Sequence, residues 1–100
     1  MSRSAIRNYE EFWPFYLSQH SKTLTRRFHL VGLASALILV VTLVIIGAYS
    51  WLPAALVLGY GPAWFSHFVI EKNRPATFGH PWWSFLSDFR MAYLTLSGKL

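Results

Sequence analysis

The sequence contains no cysteine, which removes disulfide frameworks, thiolate metal sites and catalytic thiols at once. Acidic residues are nearly as scarce: Glu10, Glu11, Glu71 and Asp88 are the only four. From Leu30 to Ile70, a run of 41 positions, there is no charge of either sign. A water-soluble domain of this size needs charge on its outer faces. The run therefore excludes an ordinary soluble fold and points to a bilayer as solvent. Also missing are the GxSxG elbow, the phosphate-binding loop, the dinucleotide fingerprint and the HExxH zinc signature, so hydrolase and nucleotide-dependent chemistry find no support. No internal repeat or low-complexity tract occurs. A cleavable signal peptide is not expected either. Charges and aromatics run through the first 29 residues, and the apolar run starts too late and lasts too long. The first span is expected to act as its own insertion signal.

What is present is apolar and basic. Hydrophobic residues make up 54% of the 100, and all nine Lys and Arg lie outside the uncharged run, giving a net charge of +5. With no nucleic-acid motif beside them, membrane topology and anionic lipid account for these basic residues, and nucleic acid is not an expected partner.

Four helical pieces are predicted. The first runs from about Ser4, as N-cap, to Gln19, with Ile6, Tyr9, Trp13 and Tyr16 at helical spacing and Pro14 expected to kink or split it. Its crowded aromatics beside Arg3 and Arg7 suit the headgroup layer. The second, Leu30 to Tyr49, has the roughly 20 residues that span a hydrocarbon core. A turn is expected at Ser50 to Pro53 and a returning helix at Pro53 to Ile70, broken or kinked near Tyr60 by Gly59, Gly61 and Pro62. The last helix starts at Pro81 and ends near Ser97, with Phe85, Phe89, Tyr93 and Leu96 as its apolar stripe. Asp88 and Arg90 within it read as surface polar residues.

The predicted fold is thus an all-α integral membrane protein. A transmembrane hairpin, with spans at about 30–49 and 53–70, is flanked by amphipathic or interfacial N- and C-terminal helices in one domain over 1–100. Both flanks carry basic residues and the turn carries none, which puts both termini in the cytoplasm. Gly59, Gly61, Ala34 and Ala36 would suit a homo-oligomer.

Four histidines occur. His29 precedes the turn by about as many residues as His67 follows it, so an antiparallel hairpin sets both imidazoles at one membrane boundary, the cytoplasmic one. His20 is near enough in sequence to fold over the same surface, and His67 and Glu71 share a helix face at i, i+4. Imidazoles with one carboxylate suit a divalent transition metal, and two histidines with a carboxylate suit Fe(II) and oxygen. Spacing leaves a second reading open, in which the histidines are interfacial residues paired with Glu71, Asp88 or lipid phosphate. The segment Glu71-Lys72-Asn73-Arg74-Pro75 likewise reads either as a polar helix exit or as a clamp in which Lys72 or Arg74 holds a lipid carboxylate.

Two blocks carry a resemblance to a known family. One is His20-Ser-Lys-Thr-Leu-Thr-Arg26-Arg-Phe-His29-Leu-Val-Gly32; the other is Trp64-Phe-Ser-His67-Phe-Val-Ile-Glu71-Lys72-Asn73-Arg74-Pro75-Ala76, followed by Pro81-x2-Ser84 and Asp88-Phe89-Arg90-Met91. The chain resembles the 2-hydroxy fatty acid dioxygenases, whose yeast member is named for the metabolism of phytosphingosine to odd-numbered fatty acids. Thr25 departs from the pattern, which often has Asn there. The resemblance implies an Fe(II)-dependent dioxygenase of fatty acid α-oxidation, using O2 to convert a 2-hydroxy fatty acid to the acid one carbon shorter without 2-oxoglutarate. It implies iron ligation and catalysis by His20, His29 and His67, with Glu71 a further ligand. Arg26, Lys72, Arg74 and Arg90 are then the basic candidates for binding the substrate carboxylate. Pro81-x2-Ser84 and Asp88-Phe89-Arg90-Met91 are similar to the pattern of many bacterial members, which implies a bacterial inner membrane. A non-catalytic lipid-binding or assembly protein is the alternative, and another metal-dependent lipid enzyme a third reading.

Overall fold

The chain begins with a capped helix. Asn8, in extended conformation, accepts a hydrogen bond from the Glu11 backbone N–H and starts α1, Tyr9–Ser18. This start lies beyond the predicted one, since Ile6 and Arg7 are not helical; Ser4 falls outside residues 6–100, which the computed structural model describes. Pro14 lies inside α1 without splitting it.

Helix α2 runs over Thr23–Ile46, 24 residues or about 36 Å. It starts earlier than hydropathy suggested because its first turn is polar but well held. Its N-cap, Lys22, supplies no side-chain cap, and Glu71 from the far end of the hairpin accepts from Lys22 N–H at 2.8 Å and from Thr25 Oγ1 at 2.6 Å. A carboxylate three positions inside the same helix ordinarily does this work. Here it comes from elsewhere in the chain. At the other end Gly47 takes the left-handed conformation (φ 76°) and stops the helix three residues short of Tyr49. A 3₁₀ turn, Tyr49–Trp51, leads into α3, Pro53–Phe65, with Pro53 at its start.

Of the break or kink expected near Tyr60, the break does not occur. Helix α3 continues through Gly59, Gly61 and Pro62, and its ladder loosens only afterwards, in a π-helical segment at Ser66–Glu71. The glycines do another job. A Cβ on Gly32 would lie 2.8 Å from the Gly59 carbonyl oxygen, and one on Gly59 would lie 3.2 Å from Ala36 Cβ. Bare backbone at both positions lets α2 and α3 cross closely. Gly59 and Ala36, read as oligomer residues, are thus spent inside the hairpin.

A 3₁₀ turn at Ala76–Phe78 precedes α4, Pro81–Leu96. Its buried face is Ser84, Ser87 and Met91, while Phe85, Phe89, Tyr93 and Leu96 look outward. All regular structure among the described residues is helical. The tight apolar core sits at one end of the molecule, where Phe12 and Tyr16 of α1 meet Ala76 and Met91. Elsewhere α2 and α3 expose their apolar side chains, Ile38 by 69%, Ile45 by 77% and Val57 by 74%. Helix α2 is long and apolar enough to cross a membrane; α3 has 13 residues, with 6 more in the π segment.

Candidate metal centre

Three histidines from three different segments meet at the core end of the hairpin. His20 lies in the loop after α1, His29 in the second turn of α2 and His67 in the π segment. All three are buried, and one ring nitrogen of each lies within 4.8 Å of the other two. The ring centroids are 4.4 Å (His20–His29), 4.5 Å (His20–His67) and 5.1 Å (His29–His67) apart. The three ring planes stand at 80°, 81° and 89° to one another. They form the corner of a box, with donors converging from three sides.

Two of the rings are fixed by Nδ1 hydrogen bonds, and the third turns its Nδ1 toward a carboxylate. His20 Nδ1 lies 2.6 Å from the Tyr16 carbonyl, which can only accept, so the proton is on Nδ1 and the Nε2 lone pair is left for another partner. His67 Nδ1 lies 2.7 Å from Asn73 Oδ1, and Asn73 Nδ2 in turn donates to the Gln19 carbonyl at 3.2 Å. His29 Nδ1 faces the Asp88 carboxylate at 3.7 Å. Nε2 of His20 and of His29 is buried without a hydrogen-bond partner among the described residues. Buried imidazole nitrogens are rarely left so. A proton-bearing Nδ1 held by carbonyl, amide or carboxylate, with Nε2 turned inward, is the arrangement that metal-binding histidines adopt. The donor set therefore fits a divalent transition-metal ion. Burial, reinforced by the neighbouring His29 and His67 rings, pushes the His20 imidazole well below its usual pKa, which favours the neutral ligand form.

The local chain geometry explains these contacts. Lys72 adopts the left-handed conformation (φ 59°), and Lys72 and Asn73 both donate to the His67 carbonyl, closing the π segment. That reversal swings the Asn73 side chain back onto His67. Arg26 Nη1 donates to the carbonyls of His20 and Ser21 at 2.8 and 3.1 Å, pinning the loop that carries His20.

Other expected site residues lie elsewhere. The Glu71 carboxylate is not part of the histidine group. It accepts from Ser21 Oγ, Lys22 N–H and Thr25 Oγ1. Burial opposes its ionisation, but the bonds from Thr25, Lys22 and Ser21 outweigh burial and hold its pKa below the ordinary 4.5. Thr25, at the departure from the family pattern, serves Glu71 rather than a histidine ring. Arg90 lies 4.0 Å over the Trp13 ring, and Arg74 lies 5.5 Å over Phe78. Lys72 is exposed. His80 caps α4 and stacks on Trp83 at 5.2 Å, away from the other three.

Sequence reasoning missed the role of Asn73, and named Asp88 as a histidine partner only in its second reading, otherwise placing it on the surface. Asp88 is no surface residue. It is half-buried, accepts a 2.5 Å hydrogen bond from the Tyr16 hydroxyl and faces His29. Burial and the Asp88 charge raise the Tyr16 pKa well above its usual value, so that hydroxyl stays a donor. The spacing of Asp88 from Met91 on the buried face of α4 was the one signal available.

Two cavities adjoin the histidines. A chamber of about 10 Å³, room for about one water, is bounded by His29 and His67 together with Tyr60, Thr77, Ser84 and Asp88. A second, almost wholly apolar cavity of about 190 Å³ starts at His29, Tyr60 and Asp88 and runs between α2, α3 and α4 to Val40 and Ala55. None of Arg26, Lys72, Arg74 and Arg90 lines either one.

Comparison with known proteins adds one finding. A family model described as 2-hydroxy-palmitic acid dioxygenase Mpo1-like matches residues 6–100. No curated protein and no solved structure matches the chain.

Proposed function

Since the chain belongs to the 2-hydroxy-palmitic acid dioxygenase Mpo1-like family, we propose that it is a membrane-embedded, non-haem Fe(II) dioxygenase of fatty acid α-oxidation. It converts 2-hydroxy fatty acids to acids one carbon shorter. The observation that carries this reading is the buried trio of His20, His29 and His67, with ring nitrogens within 4.8 Å, two of the rings held by Nδ1 hydrogen bonds and the third facing Asp88. Imidazole accepts iron, zinc, copper or nickel alike. Zinc has no redox chemistry, so use of O2 sets it aside, and the choice of iron over copper or nickel rests on the family resemblance.

The overall conversion balances with one O2 and no other reductant. The C1–C2 bond breaks, C1 leaves as CO2, C2 becomes the new carboxyl carbon, and the four electrons released reduce O2, yielding one water. Fe(II), held by His20, His29 and His67, supplies the reactivity toward O2 that side chains lack. The protein's own groups bind and orient. The 2-hydroxycarboxylate head lies at the His29, Tyr60 and Asp88 end of the larger cavity, and Thr77 and Ser84 line the water-sized chamber beside it. Asp88, fixed by the Tyr16 hydroxyl, is placed to take the proton of the substrate 2-hydroxyl and to hold the His29 ring. Arg26 and Asn73 position His20 and His67 through the bonds described. Glu71 ties the start of α2 to the end of the π segment.

In the same reading α2 from Leu30, and α3 with the π segment as far as Ile70, cross the bilayer as a hairpin within one membrane domain. The exposed apolar residues of both helices support this, and the basic flanks put both ends in the cytoplasm. The histidine centre then lies at the cytoplasmic boundary.

Metal content of anaerobically purified protein, beside oxygen uptake and product mass with 2-hydroxy fatty acids, tests the proposal. Near-stoichiometric iron, lost on His29→Ala and His67→Ala, and a product one carbon shorter are expected. Iron-loaded protein that consumes no oxygen with such acids of any length would leave the non-catalytic lipid-binding reading in its place. A product that gains oxygen, or loses a head group, would point to a different lipid enzyme.

A further inference from the structure

The apolar cavity has the polarity of an amphiphile. Its polar groups, His29, Tyr60 and Asp88, all sit at one end. From there it follows one face of α2 to Val40, eleven residues on, or about 16 Å at the helical rise. Three small residues of α3, Ala55, Gly59 and Ala63, form the opposite wall, and Phe85 and Phe89 of α4 flank it. These small residues withhold the side chains that would otherwise fill the space. The outward aromatic face of α4 thereby acquires a role that the sequence stripe did not suggest.

We infer that this cavity is the binding site for the acyl chain of the substrate. The first part of a single unbranched chain lies between α2, α3 and α4, and the rest extends into lipid past the exposed Leu37 and Leu56. The inference rests on the dioxygenase reading for the identity of the head group. Bilayer lipid is as apolar as the groove, so no hydrophobic gain draws the chain in. What the groove provides is orientation. A chain fixed along α2 delivers C1 and C2 to the histidine end and limits their motion there.

The test uses full-length protein in lipid nanodiscs and two photoreactive 2-hydroxy fatty acids, one with a diazirine near the head and one with it far along the chain. The head-proximal reagent is expected to label Tyr60 or Ala63, and the distal one Leu37, Val40, Ala55 or Leu56. Excess 2-hydroxypalmitic acid should abolish labelling, whereas a phospholipid with the same chain should not. Labels scattered over the outward residues Ile38, Val41 and Ile45, or equal competition by phospholipid, would overturn the inference. A second arm measures kcat/KM for a sixteen-carbon and an eight-carbon 2-hydroxy acid in Val40→Phe and Leu56→Trp. The ratio of the two should change at least tenfold in favour of the shorter acid, and an unchanged ratio would refute the groove. If wild-type protein turns over no such acid, the dioxygenase reading fails while the labelling pattern still decides the groove.

Discussion

Asp88 and Asn73 hold the histidine rings that meet at the core, and neither is itself a member of the trio. Groups that orient metal-binding histidines typically account for about 10–100-fold in affinity or activity. Asn73→Ala is therefore expected to lower iron affinity or kcat within that range and Tyr16→Phe by less, whereas Asp88→Asn, which also removes the proton acceptor, should lower kcat by about 100–10,000-fold; metal competition titration beside steady-state kinetics separates the two effects. Glu71 is expected to behave differently. In the fold its carboxyl pKa is depressed by the bonds from Thr25, Lys22 and Ser21 despite opposing burial. A depressed carboxyl contributes stability that is fully present above the unfolded value, about 4.5, and is lost as pH falls through the lower folded value. Glu71→Gln should thus cost about 1 kcal/mol near neutral pH, kept small by the group's partial exposure. That difference should vanish in acid. Thermal unfolding in detergent from pH 7 to 3 checks it, and iron binding lost outright at neutral pH would instead make Glu71 a ligand.

Among the elements, the crossing of α2 and α3 is the most sensitive contact. Gly32 faces the Gly59 carbonyl so closely that a methyl group must push the helices apart, whereas Gly61 has open space around it. Gly32→Ala should destabilise by about 1–3 kcal/mol, the usual cost of overpacking. Gly61→Ala should be neutral or slightly stabilising, because alanine favours a helix over glycine by up to about 1 kcal/mol. Comparing the two thermal midpoints distinguishes a packed crossing from a general need for glycine. Displaced helices would also shift His67 relative to His29, so reduced iron content is expected in Gly32→Ala alone.

The whole molecule measures 45 × 27 × 25 Å, and its long dimension is that of a bilayer with its headgroups, about 40–45 Å. Its apolar core and histidine centre share one end, while exposed apolar side chains cover the hairpin. Absence of cysteine makes topology easy to read, since any introduced thiol is the only one. A thiol at Ser97→Cys should react from the cytoplasmic side and one at Ser50→Cys from the opposite side, measured with a membrane-impermeant maleimide. Reaction of both from one side would contradict a spanning hairpin.

The sequence by itself determined the helical character, the uncharged run, the Pro53 and Pro81 starts and the near-equal distances of His29 and His67 from the turn. All of these follow from local composition, periodicity and helical rise, which need no knowledge of neighbours. It misjudged the start of α1, the polar first turn of α2 and the effect of Gly59 and Pro62. In α2 and α3 the deciding partner lies on another segment: Glu71 at one helix start, Gly32 across the crossing. Only the tertiary structure decided that Glu71 bonds to Thr25, 46 residues away, and that Asp88 meets Tyr16, 72 residues away, beside His29. Such pairings depend on how each helix is rotated about its axis and how the loop at His20 folds over the hairpin. Periodicity places a residue on a face; packing alone settles which faces meet.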